Sequence, residues 1–482
     1  GLNGITFGEI YDTELWGRSE YDERLLPYLN SSWGPTSAAI DTNGDGIVSD
    51  AELRAVTFTD MNERGLNFWR TNQTQVGAND VKAIRLSGFI MDDWKINDFF
   101  SINAGLRIEN HRYRDSEGGV ILNMGTVFLP RIGAIWDIGG KGTQKLTAFY
   151  GHFSDPMPFG MIHFAGNISG SVRHEQVWLN GDWFTYRVRG SAEHRDAVWT
   201  PNTKDSYSRE ASLTYESDFG KGVVFAAQLY SRNDRNIIED YDLFTYVLNY
   251  PGHPVWGHLA LTYEDFGYSE APGEANYFLS NLIGAKRDIM GLDLELSKRF
   301  KNGSNLVFQY SYKFAEGNSQ SDGNADLQGD FISLDPRNDW MMGPTPGTIP
   351  HKIKIYGTWR TKLGLDIGAL LYWNSGWKYT ESYVFLPGRY DIYYNWYLGD
   401  NVYQQTGQEQ TPSYFQLDMK FNYRLKLSQR VFLDLFLDIY NVTGNQAPFD
   451  VQYGRNDPTW EYQDVTEILL PTRFYLGARL RF

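Results

Sequence analysis

The sequence predicts an all-β fold, a transmembrane antiparallel β-barrel, and three observations predict it. Thirteen stretches of roughly 10–16 residues carry apolar residues at about every second position, the period of a strand with one apolar face. The gaps between them alternate short and long. A membrane barrel behaves this way when tight turns lie on its periplasmic rim and wide loops on its extracellular rim. The chain ends on Phe482, the last residue of such a stretch.

In chain order, the pattern places strands at about 84–95, 99–111, 128–138, 143–154, 205–217, 222–234, 284–299, 304–315, 351–360, 364–375, 413–425, 429–441 and 472–482. Gly, Asn, Asp and Lys fill the short connections, for example Asp218 to Lys221 and Phe300 to Gly303, and suit tight turns. The long connections cover about 112–127, 155–204, 235–283, 316–350, 376–412 and 442–471. In the last strand Phe474, Leu476, Ala478, Leu480 and Phe482 share one face, while Arg473, Tyr475, Gly477, Arg479 and Arg481 share the other. The strand before it sets Leu433, Leu435, Leu437 and Ile439 against Phe432, Asp434, Phe436, Asp438 and Tyr440. One face suits lipid and the other a wet lumen. A soluble β-sandwich also alternates, but its strands are shorter. These reach the ~9–11 residues of a tilted membrane strand.

Composition agrees. The 482 residues contain no cysteine, and 16% are aromatic, enough for girdles at both membrane interfaces. No run of about 18 apolar residues exists, which excludes a helical membrane protein. The net charge of −15 argues against nucleic acid as a partner. Much of the acid, such as Asp322, Asp326 and Asp330, falls in predicted loops. If the short turns are periplasmic, Phe482 lies on the periplasmic rim and the strand count is odd. Single-chain bacterial barrels have an even number. The chain also opens at Gly1 without a signal peptide, so the reading is a partial chain of a longer protein.

Residues 1–80 lack periodicity and read as an irregular extracellular loop region, with the strands and loops of the barrel filling 81–482. This first region holds the sharpest motif. Residues 41–52 fit a twelve-residue EF-hand loop, with oxygen side chains on Asp41, Asn43, Asp45 and Ser49 and a bidentate candidate in Glu52. Gly46 takes the sharp-turn position, and Ile47 is expected to give its backbone carbonyl and pack on a neighbour. Calcium favours several hard oxygens in one flexible loop. The alternative is an acidic turn without metal. The short entry segment Pro35 to Ala39 makes this a lone loop, suited to stiffening an extracellular segment.

Elsewhere the aromatic run from Trp373 to Tyr379, with Tyr390 to Tyr397, suits either loop packing or gripping a peptide or sugar. The eight histidines show no metal-ligand spacing. No nucleophile motif and no phosphate-cradling Gly loop is present, so the chain does not read as an enzyme.

Several segments resemble the Oar-like TonB-dependent receptors of the bacterial outer membrane. They are Gly88 to Trp94 with Phe100 to Arg107, then Leu129 to Asp137 with Lys145 to Phe153 and Asp155–Pro156. Arg235 to Asp240, Gly291 to Arg299, Pro350 to Tyr356 and the terminal strand follow in the family's order. The resemblance implies part of a 22-stranded barrel in the outer membrane of a Gram-negative bacterium. It implies a TonB-dependent receptor or transporter that binds a peptide, protein or other large substrate through its extracellular loops. Lipid and lipopolysaccharide would surround it, and the TonB complex would act through an N-terminal plug and TonB box, neither of which this sequence contains. Two other readings stay open: a surface receptor or structural subunit of an outer-membrane complex, and a passive porin.

Overall fold

Period-two alternation over a dozen residues forces one face of each strand into an apolar medium. The structure obeys that rule thirteen times. This computed structural model describes residues 3–8, 25–31, 33, 35–55, 69–75, 80–154, 157, 159–166, 171–179, 182–190, 195–242, 262–270, 275–319, 341–383, 405–452, 454–455 and 461–482. The wall strands are β1 (Lys82–Asn97), β2 (Phe100–Arg114), β3 (Val120–Asp137), β4 (Gln144–Ser154), β5 (Tyr207–Gly220), β6 (Val223–Arg235) and β7 (Lys286–Arg299). They continue as β8 (Asn305–Gly317), β9 (His351–Arg360), β10 (Leu365–Asn374), β11 (Tyr414–Lys426), β12 (Phe432–Tyr440) and β13 (Arg473–Arg481). Each pairs antiparallel with the next, so the path is a pure meander from β1 to β13. The two-residue strand Gly343–Pro344 adds to the end of β8. Within the described residues β1 and β13 do not pair with each other.

Register decides which side chains share a face. Leu435 sits opposite Tyr423 and Ala478, and Leu437 opposite Phe421 and Leu476. Phe421 faces Ile367 across the next pair, and Ile367 faces Trp359. This row is the exposed apolar one: Leu476 is 84% and Trp359 54% exposed. Residues so apolar and so open to the outside belong in lipid. The predicted register therefore holds, with Leu435 outward and Asp434 inward. The other face lines the lumen. Glycines there let large side chains lie flat: the Tyr230 ring covers Gly291 and the Phe436 ring covers Gly477, each its register partner.

Two expectations need correction. Residues 112–127 are not a long loop, because β2 and β3 continue through them as a tall hairpin closed at Asp115 to Gly119. Above the membrane no lipid imposes alternation, so the sequence signal fades while the ladder goes on. Residues 1–80 are not irregular throughout. They contain strands Asn3–Gly8 and Trp69–Gln75 and helices α1 (Leu25–Ser31), α2 (Pro35–Ile40) and α3 (Asp50–Ala55). Those two strands pair with each other, and the second pairs with Ser171–Leu179, which lies in the connection between β4 and β5.

The long connections also fold. Helix α4 (Phe159–Gly166) buries Met161, Ile162 and Ala165 against Tyr113 of β2, Leu122 of β3 and Met157. Ala197 and Trp199 of strand Arg195–Trp199, Ile238 of strand Ile238–Asp242 and Leu279 of strand Ala275–Asn281 complete the cluster. The last of these strands pairs antiparallel with the second and parallel with the first. A second aromatic group joins Tyr241, Phe266 and Phe278 edge to face, with centroids 4.8 and 5.1 Å apart. Three connections from one rim thus share a water-excluding core, a cap beyond the membrane wall.

Candidate functional site

The calcium-like loop lies between α2 and α3. Its fold follows from where its oxygens point. Asp41 Oδ1 accepts from the Gly44 N–H at 2.8 Å and its Oδ2 from the Gly46 N–H at 2.8 Å. Asn43 Oδ1 accepts from the Asp45 N–H and Asp45 Oδ1 from the Ile47 N–H. Gly44 and Gly46 take φ values of +73° and +79°, a conformation that glycine adopts without strain. Glu52 reaches back across the loop. Its Oε1 accepts from the Thr42 and Asn43 N–H groups and its Oε2 from the Ser49 N–H and hydroxyl. The Ser49 N–H and then its hydroxyl hold the Glu52 carboxyl down from 4.5 to about 2.

Three carboxylates, an amide and a hydroxyl thus crowd one turn, all engaged with donors inside it. Among the described residues no group of three or more His, Asp or Glu is arranged as a ready metal cage. The donor chemistry still fits a hard cation, since every candidate atom is oxygen.

One detail of the sequence reading changes: Ile47 is 59% exposed, and it is Val48 beside it, 2% exposed, that is buried. Leu29, Ile40 and Leu53 of the flanking helices are likewise at most 4% exposed. Asn30 was not legible as part of this site. Its amide donates to the Val48 carbonyl at 2.9 Å and accepts from the Val48 N–H at 2.7 Å. One side chain thereby satisfies the backbone groups that a neighbouring loop would otherwise pair. No pattern in the unperiodic segment around it marks this role.

The inner wall is polar and ion-paired. Asp434, 3% exposed, takes Arg424 at 2.6 Å and Arg481 at 2.8 Å from the strands on either side. Lys420 meets Asp438 at 2.8 Å and Lys145 meets Glu216 at 2.5 Å. Arg232 meets Asp234 at 2.7 Å and Arg235 meets Asp288 at 2.8 Å. Near the long-loop rim, buried His111 directs Nε2 at Glu109 (3.1 Å) and Nδ1 toward Asp205 (4.0 Å). Asp205 also accepts from Ser154 Oγ, which ties the wall to the cap. Of the aromatic run, Trp377 Nε1 donates to the Phe449 carbonyl and Tyr379, 3% exposed, packs edge to face on it. Those rings are used in loop packing; Tyr390 to Tyr397 lies outside the described residues.

Comparison with known proteins fits this geometry. The TonB-dependent transporter Oar of Myxococcus xanthus is 20% identical over 446 residues, 83% of this chain and 38% of its own length. Among solved structures, the outer membrane transporter YddB from Escherichia coli aligns with a TM-score of 0.47 at 12% identity, over 86% of this chain and 55% of that one. The FrpB iron transporter from Neisseria meningitidis aligns with a TM-score of 0.47 at 11% identity, over 89% of this chain and 49% of that one. The chain thus spans about half or less of the proteins it matches. The profile of the family described as TonB dependent receptor-like, beta-barrel, matches residues 5–442. The chain belongs to this family, whose members lie in the outer membrane of Gram-negative bacteria.

Proposed function

We propose that this chain is the C-terminal wall and loop portion of a TonB-dependent outer-membrane transporter that binds cargo through its extracellular loops. The observation that carries the reading is the union of a charged inner wall with a packed cap joining two long connections and the top of the β2–β3 hairpin on one rim. A passive pore has no use for a cap whose core is built from several loops. Cargo binds at that rim and passes inside the wall. The strands that complete a 22-stranded barrel, the plug and the contact with the TonB complex belong to the rest of the protein. Lipid wets the outer row, and lipopolysaccharide meets it on the extracellular side. A large cargo such as a peptide or protein suits a binding surface made of several folded loops. Uptake or release of labelled oligopeptides by cells, with the gene intact or deleted and with the proton-motive force collapsed, tests this. Transport that survives both losses overturns it.

Calcium binding by residues 41–52 is part of the same proposal. Asp41, Asn43, Asp45 and Glu52 would hold the ion through side-chain oxygens, Ile47 through its carbonyl and Ser49 directly or through water. The ion would supply charge neutralisation for three carboxylates in one turn, fixing residues 1–80 as an extracellular segment. Pairing of Trp69–Gln75 with Ser171–Leu179 supports that placement. Limited proteolysis with calcium or with chelator reads the outcome. If protection of residues 41–52 is the same in both, the loop is an acidic turn.

A further inference from the structure

One row of side chains crosses eight strands on the inner face. Asp93, Asn103, Gly133, Phe149, Ser212, Tyr230, Gly291 and Lys313 are register partners in turn. Midway along it the wall opens into a recess of about 450 Å³ near the long-loop rim, within the range of small-molecule sites. Ser212 forms its floor, and Phe149 and Tyr230 border it on the flanking strands. Two strand spacings separate those aromatics, roughly 9–10 Å. That is the backbone spacing; the Tyr230 ring itself leans away from Ser212 over Gly291, which widens the gap a planar guest could enter. Glycine keeps the space open. The Tyr230 ring lies over Gly291, and the Phe149 ring leans so far toward Gly151 that a Cβ there would stand 2.8 Å from Phe149 Cζ. A larger residue at either glycine would push a ring back over the floor.

The charge around the recess is uneven. Glu210, Arg232 and Lys313 all border it. Arg232 is shared by Glu210 at 3.4 Å and Asp234 at 2.7 Å. Among the described residues Lys313 has no carboxylate within 4.0 Å. Lys352 and Lys354 of β9, opposite Ser311 and Gln309 of β8, likewise have none among the described residues, so this part of the inner wall is cationic in a chain of net charge −15. Its field favours an anion, and the rings favour a flat apolar body. Gln228 and the Ser212 hydroxyl add hydrogen-bonding groups at the edge.

We propose that this recess binds a small aromatic carboxylate, its ring between Phe149 and Tyr230 and its carboxylate on Lys313. The site stands independently of whether the chain transports anything. The probe is 4-fluorobenzoate, followed by fluorine NMR on the purified protein in micelles, with protein-free micelles subtracted. Saturable binding is expected. Lys313→Gln should weaken it at least tenfold, and Lys313→Glu should remove it while admitting 4-fluorobenzylamine. Ser212→Leu fills the floor and should abolish binding without touching ring or charge. Neutral 4-fluorobenzamide should bind at least tenfold more weakly. Heat-shifted gel mobility checks that each variant is folded, and the Lys313 pair suffices if Ser212→Leu is not. No saturable binding, equal binding of acid and amide, or unchanged affinity in Lys313→Gln overturns the proposal.

Discussion

Arginine placed along the outward face of β12 should cost more the deeper it sits. That face presents Leu433, Leu435 and Leu437, opposite Leu480, Ala478 and Leu476 of β13. A strand tilted by about 40° climbs roughly 2.6 Å per residue along the membrane normal. Counting from Phe432 at the short-turn end, the three leucines stand at about 3, 8 and 13 Å in an apolar band about 25 Å tall. Leu437 is therefore near the midplane and Leu433 near the interface. Leu437→Arg should destabilise by about 2–4 kcal/mol and Leu433→Arg by about 0–1 kcal/mol, with Leu435→Arg between. The control is Thr214→Arg on the inner row, opposite Gln228 and Thr147, where lumenal water keeps the cost within about 1 kcal/mol. Urea unfolding from phospholipid vesicles, read by tryptophan fluorescence, supplies the free energies. A flat series, or Thr214→Arg costing more than Leu437→Arg, would refute the assignment of inner and outer faces.

Gly291→Val should cost about 1–3 kcal/mol by displacing the Tyr230 ring, and adding Tyr230→Ser should recover much of it; if the double variant is no better, the ring is not the obstacle. Ile162→Ala, at a position with no exposed surface, should cost about 2–5 kcal/mol within the cap. Protease should then cut residues 155–204 and 235–283 while the wall keeps its unfolding midpoint; joint loss of both would show one cooperative unit. The Glu52 carboxyl, held to about 2, titrates lower folded than unfolded. Its contribution is complete above about pH 4.5 and disappears as pH falls toward 2. Hydrogen-exchange protection factors at residues 41–52, taken relative to the intrinsic rate at each pH, should fall across that window, and a fall already at pH 6 contradicts the bonding. Protease added to sealed cells should leave Lys301 to Gly303, in the turn between β7 and β8, uncut; cleavage there inverts the topology.

The wall was legible almost residue by residue because lipid enforces the alternation. The pattern placed 351–360 and the strand is His351–Arg360; it placed 284–299 and the strand is Lys286–Arg299. The error at β3, read from 128 and beginning at Val120, arises where the hairpin leaves the membrane. There Leu122 turns into the cap at 7% exposure while Val120 is 52% exposed, and neither lipid nor lumen dictates a period. The calcium-like loop was legible because twelve contiguous residues carry it. Its clamp, Asn30, and the His111 contacts to Glu109 and Asp205 were not, because tertiary structure brings them together. The Phe149–Ser212–Tyr230 row was hidden for the same reason: its members are adjacent only through strand register.

Two different solvents therefore hold the two halves of this molecule together. The wall keeps its apolar residues outside, so its cohesion comes from the hydrogen-bonded ladder and from inward ion pairs such as Asp434 with Arg424 and Arg481. The cap does the reverse: Met161, Ile162 and Leu279 are buried from water, as in any soluble core. Water-driven burial weakens in urea, while a ladder bathed in lipid has no competing donor. The cap is thus the part of the fold with the lower threshold for opening. Where the 155–204 connection returns to the wall, Asp205 accepts from Ser154 Oγ of β4 beside His111 of β2. The two parts are nonetheless continuous through β2 and β3, whose Tyr113–Leu122 pair belongs both to the wall ladder and to the cap core.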